Sequence, residues 1–481
     1  MGRDVELTVA PVKTLLKVIE RTFTSGFDAY KAATFETGFS VATTDWNAPL
    51  KVVKDSSTSS STDHINEINS AARKLERDTE TDVQNFDVTD SVDSAPVNQL
   101  IENIFKQAIE SGASDIHIES KIDKLSVRFR VDGELGQSIS AEKKIANALV
   151  QALKISSNLD ITEKRLPQDG RFAKKVGTQS LDIRISTMPS QHGESVVMRL
   201  LRPAASVVSI SSLGMPPEIE DRVRTLLRKK SGSLIVTGPT GSGKTTTLYA
   251  AMATLDAEKQ KIVTVEDPVE YLMPNITQTQ VNSKIGLSFE RVLRSTLRQD
   301  PDVIMIGEIR DPQTAEISLQ AAMTGHLVLT TLHTNDAPSL STRLQNMGIQ
   351  SFMLSSSIKV VIAQRLVRMN CRSCAKPLVL SKKDLDCLKD ALDVNSNFDE
   401  DNLRQGVGCP VCNNTGYAGR IGVYEMLDID SELEQLIASN DNAAFLNVAN
   451  QKMDGKRIFN HGAQLVANGI TSFEEILKLN D

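Results

Sequence analysis

The sequence predicts an α/β protein in which a parallel sheet, covered by helices on both faces, follows a smaller α+β domain. Three observations predict it. Between residues 215 and 370, short runs of nearly continuous Val, Ile and Leu alternate with amphipathic stretches, the pattern of strands buried on both faces. The turn "GPTGSGKT", Gly238 to Thr245, stands between one such strand and the helix after it. Over 95–203 the strand-like runs instead alternate apolar and polar residues, so each has one buried face. At 481 residues the chain exceeds what a single core organises, and about three domains are expected.

Taken in order, residues 1–52 mix apolar and polar residues without a period, carry the lone Trp46, and read as a small helical or mixed unit. Residues 53–94 are rich in Ser, Thr and acids and too poor in apolar residues to offset ordering entropy. They read as a flexible linker with room for a short helix over 66–77. From Ala95, Val97, Leu100, Ile101, Ile104, Phe105 and Ile109 recur at helical spacing, and Gly112 is the stop. "SDIHIES" and "KLSVRFRVDG" follow as strands, "AEKKIANALVQALKISSN" as a helix, then "DGRFAKK", "SLDIRISTMPS" and "ESVVMRLL" as strands. This α+β domain ends at 203, and 204–214 is a linker. In 215–370 the strands are "SGSLIVTG", "KIVTVED", "DVIMIGE" and "HLVLTTLH". The helices between them are "GKTTTLYAAMATL", "FERVLRSTLRQDP" and "TAEISLQAAMTG". A cysteine-bearing element (371–424) and a helical subdomain (425–481) complete the chain.

Composition narrows the function. Lys and Arg number 54 against 61 Asp and Glu, a net charge of -7, which disfavours a protein that wraps nucleic acid. No run approaches ~18 uninterrupted apolar residues, and the first residues lack a compact apolar core, so a cytosolic protein is expected. Glu6 stands where N-myristoylation wants Ser or Thr.

"GPTGSGKT" fits G-x-x-x-x-G-K-[ST] in its physical context of strand, turn and helix. Gly238, Gly241 and Gly243 let the backbone curl so that N–H groups, with Pro239, Thr240, Ser242 and Thr246 around them, surround phosphate oxygens at a helix N-terminus. Lys244 would reach the β and γ phosphates of ATP or GTP, and the Thr245 hydroxyl would ligate Mg2+. Two acidic clusters follow at strand ends. "VTVEDPVEY" supplies Glu266, Asp267 and Glu270, while "DVIMIGEIRD" supplies Glu308 directly after Gly307, where an aspartate would be expected. Ligands bind beyond the carboxyl ends of parallel strands. Glu308 with Thr245 can therefore hold the metal and Glu266 can orient water, whereas Asp302 lies at the opposite end.

His326 and His333 bracket "LVLTTL", and only one of them can lie at the catalytic end, which suits His333. Arg184 shares a strand face with Asp182 and Ser186, and Arg199 lies opposite Val196, Met198 and Leu200, so both arginines stand on the polar face of the smaller domain. "CRSC" and "CPVC" place Cys371, Cys374, Cys409 and Cys412 in two C-x-x-C turns able to converge on one tetrahedral Zn2+ with no open position. Cys387 is left over and reads as a small core residue on an inserted helix.

"GPTGSGKTTTLYA", "VEDPVEY", "LRQDPDVIMIGEIRD" and "TGHLVLTTLHTNDA" occur in this order at close spacing. With "SDIHIE", "RVDG", "LPQDGR", "STMPSQHGESVVMRLL" and "GRIGVYEML", they resemble the type II secretion and type IV pilus assembly ATPases, the GspE/PilB type, over roughly 95–481. The resemblance implies a RecA-like P-loop core behind a PAS-like domain, and it makes Gly307 a family feature. It assigns Glu308 to the metal and Glu266 to catalysis. Arg184 and Arg199 become fingers toward the phosphates, with Arg165 and Arg171 weaker candidates, and His333 and His326 become sensors or couplers. It further implies a homohexamer at the cytoplasmic face of a bacterial inner membrane, driving a platform protein and meeting a membrane-associated adaptor through residues 1–52. No specific nucleic acid is expected. The four-cysteine element favours an assembly or secretion motor over a retraction motor. Pilus assembly is the first reading, type II secretion the alternative and DNA translocation a distant third.

Overall fold

The structure, a computed structural model, describes residues 95–177, 179–201, 208–392 and 398–480. The expected partner-binding segment and linker, 1–94, lie outside the described residues, as does part of the linker 204–214.

The first layer is helix α1 (Ala95–Glu110) and strands β1 (Asp115–Ser120), β2 (Lys124–Val131) and β3 (Glu134–Glu142). Helix α2 (Lys143–Ser156) and strands β4 (Gln168–Val176), β5 (Gln179–Ser190) and β6 (Gly193–Leu201) follow. The six strands form one antiparallel sheet in the order β3-β2-β1-β6-β5-β4. Period-two alternation explains its sidedness. Ile116, Ile118, Val127, Ile183, Ile185, Val196 and Met198 face Leu100, Ile104, Phe105, Leu149 and Leu153 of the two helices, while arginines and acids face away. Truncating the wholly buried Phe105 to Ala would cost about 3–5 kcal/mol. Helix α1 stops where expected, at Gly112 with φ 73°. The β2–β3 hairpin turns through Asp132 and Gly133, both with positive φ, the two-residue turn that matches strand twist.

The second layer comprises α3 (Pro217–Leu227), β7 (Gly232–Thr237), α4 (Lys244–Met252), β8 (Ile262–Glu266), β9 (Thr277–Gln280), α5 (Phe289–Thr296) and β10 (Val303–Ile306). It continues with α6 (Pro312–Met323), β11 (Leu327–Leu332), α7 (Ser339–Asn346), α8 (Ser351–Ser357) and β12 (Ile358–Asn370). The cysteine element holds β13 (Ala375–Pro377), α9 (Lys382–Ala391) and β14 (Arg404–Gly406). Then come β15 (Tyr417–Asp428), α10 (Ser431–Ala438), α11 (Asn442–Lys452), α12 (Ile458–Ala467) and α13 (Phe473–Leu477). The large sheet runs β15-β12-β7-β11-β10-β8-β9, parallel except for β15. Strands β7, β8, β10 and β11 are buried along their whole length, as their unbroken apolar runs require. Helix α6 starts sharply because Asp311 accepts from the Thr314 N–H at 2.8 Å and Pro312 occupies the first turn.

Several features differ from the sequence reading. Strands β3, β9 and β12 and helices α3, α7 and α8 have no counterpart in it. Strand β15 belongs to the main sheet, although residues 417–428 straddle the expected boundary between cysteine element and helical subdomain; its register with β12 from Val360↔Asp428 to Arg368↔Arg420 makes it the sheet's antiparallel edge. Cys387 is exposed instead of buried, because α9 turns the adjacent Leu388 into the core. Among the described residues, no helix is long and apolar enough to cross a membrane.

Candidate nucleotide site and four-cysteine centre

The loop between β7 and α4 is built for an anion. Gly238, Gly241 and Gly243 have φ of 145°, 80° and 87°, which side chains rarely adopt. At Gly238 a Cβ would lie 2.4 Å from the Gln364 carbonyl and 2.7 Å from Ser242 Oγ, and at Gly243 2.8 Å from Gln364 Nε2. Gln364, on the neighbouring strand β12, in turn accepts from Thr247 Oγ1 at 2.7 Å and so fixes α4 beneath the loop. Among the described residues, two donors inside the loop lack an external partner: Lys244 Nζ donates only to its own loop, to Gly238 O at 2.9 Å and Pro239 O at 2.8 Å, and the buried Ser242 Oγ is unpaired. Burial pulls the Lys244 amine down to about 8; nearby Glu308 opposes the shift and Arg365 adds to it. A half-desolvated amine, an orphaned hydroxyl and a helix N-terminus on a glycine loop fit a polyphosphate.

Glu308 follows β10 at the same sheet edge. Its Oε1 accepts from Arg310 Nη2 at 2.5 Å, and its Oε2 lies 3.7 Å from His333 Nε2. Gly307 is tied between neighbouring strands: its N–H donates to Val265 O at 2.8 Å, and its carbonyl accepts from Thr331 Oγ1 at 2.6 Å. Lys244, Thr245, Glu308 and His333 thus come from adjacent strand ends. His326 does not join them. It sits at the other end of β11, roughly 20 Å away by strand rise, its Nδ1 3.0 Å from the Ala321 carbonyl in the last turn of α6.

Glu266 differs from expectation. Its carboxylate is 2 % exposed and turned toward α4, with Oε2 accepting from Tyr249 and Oε1 accepting from Thr264 at 2.5 Å and Gln278 at 3.3 Å. Burial pushes its pKa up, against those donors. The alternation that sent Val265 to one sheet face sends Glu266 to the other, where a tyrosine hydroxyl occupies it. Glu270, past the cis Asp267–Pro268 bond, is exposed and faces the smaller domain, its Oε2 3.9 Å from Arg184 Nη2.

The smaller domain meets this edge with its polar face. One cross-strand row carries Arg171, Arg184, Arg199, Asp115 and Arg130 on β4, β5, β6, β1 and β2. Arg199 Nε donates to Asp115 Oδ1 at 3.1 Å, which holds the guanidinium upright, and Arg171 stands 3.9 Å from Asp182. Arg184 is the member closest to the core; its Nη2 reaches Val269 O at 3.5 Å, its Nε is buried without a partner, and burial lowers its pKa. Among the described residues Arg165 pairs only with its neighbour Glu163, and it stays outside the row. The hairpin tip secures the two layers: Gly419 N–H donates to Asp132 Oδ2 at 2.9 Å, and Lys478 lies 3.5 Å from Glu134.

The four cysteines converge. Sγ separations of 3.8 Å (Cys371–Cys409), 3.8 Å (Cys374–Cys412) and 3.7 Å (Cys409–Cys412) match the edge of a tetrahedron, about 3.8 Å for Zn–S bonds of about 2.3 Å. All four ligand atoms lie within 4.8 Å of one another. The backbone N–H groups of Cys409 and Gly416 donate to Cys412 Sγ, the arrangement that suits a thiolate. These residues fit a closed structural zinc site.

Sequence reasoning missed three contributors: Gln364 and Arg365 under the loop, and Glu425, treated below. Their only signal was the polar "QR" and the lone Glu interrupting apolar strands at 358–367 and 421–427.

Comparison with known proteins agrees with this arrangement. The Type II/IV secretion system protein family matches residues 90–478. The type II secretion system ATPase E of Vibrio cholerae is 45 % identical over 401 residues, covering 82 % of this chain and 78 % of that one. Type II secretion system protein HxcR of Pseudomonas aeruginosa is 47 % identical over 393 residues, covering 82 % and 79 %. A putative type II secretion system protein E of Escherichia coli K12 is 42 % identical over 446 residues, covering 92 % and 89 %. Among solved structures, the pilus retraction motor PilT with bound ADP superposes with TM-score 0.52 at 25 % identity, covering 79 % of this chain and 96 % of that one. The Legionella pneumophila ATPase DotB has the same fold, with TM-score 0.58, 19 % identity and coverage of 79 % and 95 %. The relatives' names favour type II secretion over the pilus-first ordering of the sequence reading. With its glycine loop, its strand-end Glu308 and this match over most of its length, the chain belongs to the type II/IV secretion system protein family, as a secretion ATPase.

Proposed function

We propose that this chain is the Mg2+-dependent ATPase of a type II secretion system. It would work as a hexamer at the cytoplasmic face of the inner membrane and drive pseudopilin assembly through a platform protein. The observation that carries the reading is the 45 % identity to a type II secretion ATPase over most of both chains. In this reading the loop 238–246 holds the phosphates, Lys244 neutralises the β and γ oxygens, and Thr245 with Glu308 holds the metal, which supplies charge compensation on the leaving phosphates. Arg184 and Arg199 meet charge that develops in the transition state. Glu270, open to solvent beside Arg184, is better placed than the enclosed Glu266 to polarise water, and Glu266 braces Tyr249. His333 orients Glu308. Residues 1–52 would dock on the membrane-associated adaptor.

The test is Mg2+-dependent turnover of the purified oligomer. Lys244→Ala and Glu308→Gln should abolish it, and Glu270→Gln should lower kcat more than Glu266→Gln. Complementation of a strain lacking its type II secretion ATPase should restore exoprotein release. Restored pili with no exoprotein release would reverse the assignment, and equal turnover of wild type and Lys244→Ala would end it.

A further inference from the structure

The loop from His333 to Pro338 is anchored at Thr334, Asn335 and Ala337, and its anchors come from three different strands. Thr334 N–H donates to Thr237 Oγ1 at 2.7 Å, at the end of β7. Asn335 O accepts from Arg365 Nη2 of β12 at 3.0 Å. Ala337 N–H donates to Glu425 Oε1 of β15 at 2.9 Å. The last anchor differs in kind. Glu425 is a carboxylate 3 % exposed inside the core, and its second oxygen, Oε2, accepts from the Ile458 N–H at 3.2 Å, the first residue of α12. Arg457 Nη1 stands 3.6 Å from Oε1. One buried charge therefore serves two backbone amides, one in the loop that presents His333 and one at the start of the C-terminal helices. Desolvating a carboxylate costs several kcal/mol unless such partners offset it, so any shift of α12 that frees Oε2 is felt at Ala337. The same strand reaches the opposite face through Tyr424, whose hydroxyl donates to Leu213 O at 3.1 Å and whose N–H donates to His461 Nδ1 of α12 at 3.0 Å.

We infer that Glu425 is a positioning residue for ATP hydrolysis, setting the His333 loop against Glu308 and coupling that loop to the C-terminal helical subdomain through α12. The role rests on the reading of His333 as part of the hydrolytic site. In Glu425→Gln one oxygen becomes an NH2 that opposes one of the two backbone N–H donors, with almost no change in volume.

The full-length oligomer of Glu425→Gln should show hydrogen exchange at least tenfold faster in peptides covering both 333–338 and 457–461. The kcat should fall about tenfold with KM for ATP unchanged, and Glu425→Gln/His333→Ala should be no slower than His333→Ala alone. Glu425→Asp, which keeps the charge but is too short to serve both amides, should show the same exchange signature if the amide variant folds poorly. Wild-type exchange in either peptide, an unchanged kcat, or multiplicative losses in the double variant would each overturn the inference. A wild type without turnover would defeat the hydrolase reading, while the exchange measurement would still decide whether Glu425 couples the two segments.

Discussion

Lys244 offers a direct thermodynamic test of the glycine loop. Its amine is desolvated among loop carbonyls, and its pKa falls from 10.5 to about 8. At pH 8 about half of the free protein should carry a neutral lysine; at pH 6.5 the neutral share is about 3 %, and at pH 9 about 90 %. A bound triphosphate places several negative oxygens on the amine and restores its charge, so binding must take up a proton. The expected uptake is about 0.5 proton per site at pH 8, about 0.9 at pH 9 and near zero at pH 6.5. Nucleotide phosphate protons contribute little at the two higher values, since their own pKa lies near 6. Calorimetric titration with a non-hydrolysable ATP analogue and Mg2+, in two buffers of different ionisation enthalpy, reads this number directly. Lys244→Gln should remove the uptake, and Arg365→Gln, which relieves repulsion on the amine, should shrink it at pH 8. Without nucleotide the sign runs the other way: between pH 8 and 10.5 the unfolded lysine holds its proton and the folded one has lost it, so stability rises with pH. Binding heats that do not depend on buffer at pH 8, in a protein that still binds nucleotide, would refute the assignment of Lys244 to the phosphates.

Three other outcomes follow from contacts elsewhere. Glu475 is buried, and although burial alone would raise its pKa, hydrogen bonds from Arg368 at 2.7 Å and Lys478 at 2.7 Å bring it to about 2. Glu475→Gln should therefore cost about 3 kcal/mol at pH 7. The deficit should shrink as pH falls from 4.5 toward 2, because there the unfolded chain's carboxylate takes up a proton while the folded one stays ionised, read from denaturant unfolding at several pH values. Cys412→Ser should lose one equivalent of zinc by elemental analysis and lose exchange protection across 371–416, while 358–368 stays protected by its strand partners. Arg184→Gln should lower kcat of the oligomer by about 10³ with nucleotide affinity nearly unchanged, measured as turnover alongside binding of a fluorescent analogue.

Much of this was legible because it is local. The glycine loop, the alternating faces of the smaller domain and the unbroken apolar strands depend on spacing within a few residues, and Arg184, Arg199 and Glu308 fall where that spacing sends them. What escaped depends on packing between distant segments. Glu266 ends β8 and Glu270 follows four residues later in the same acidic stretch; side chains brought in from α4, β8 and β9, namely Tyr249, Thr264 and Gln278, decide that Glu266 is the enclosed one. Strand β15 was divided between two units because its partner β12 stands some fifty residues earlier, beyond any periodicity.

That pairing makes the four-cysteine element a long excursion between two hydrogen-bonded neighbours of one sheet. The excursion is fastened to the C-terminal helices as well, because Leu388 and Leu403 pack against Ala463, Phe473 and Ile476. Strand β12 thus runs from Gln364, the side chain that underlies the glycine loop, into the first cysteine pair, so the loop's support and the cysteine cluster share one stretch of backbone.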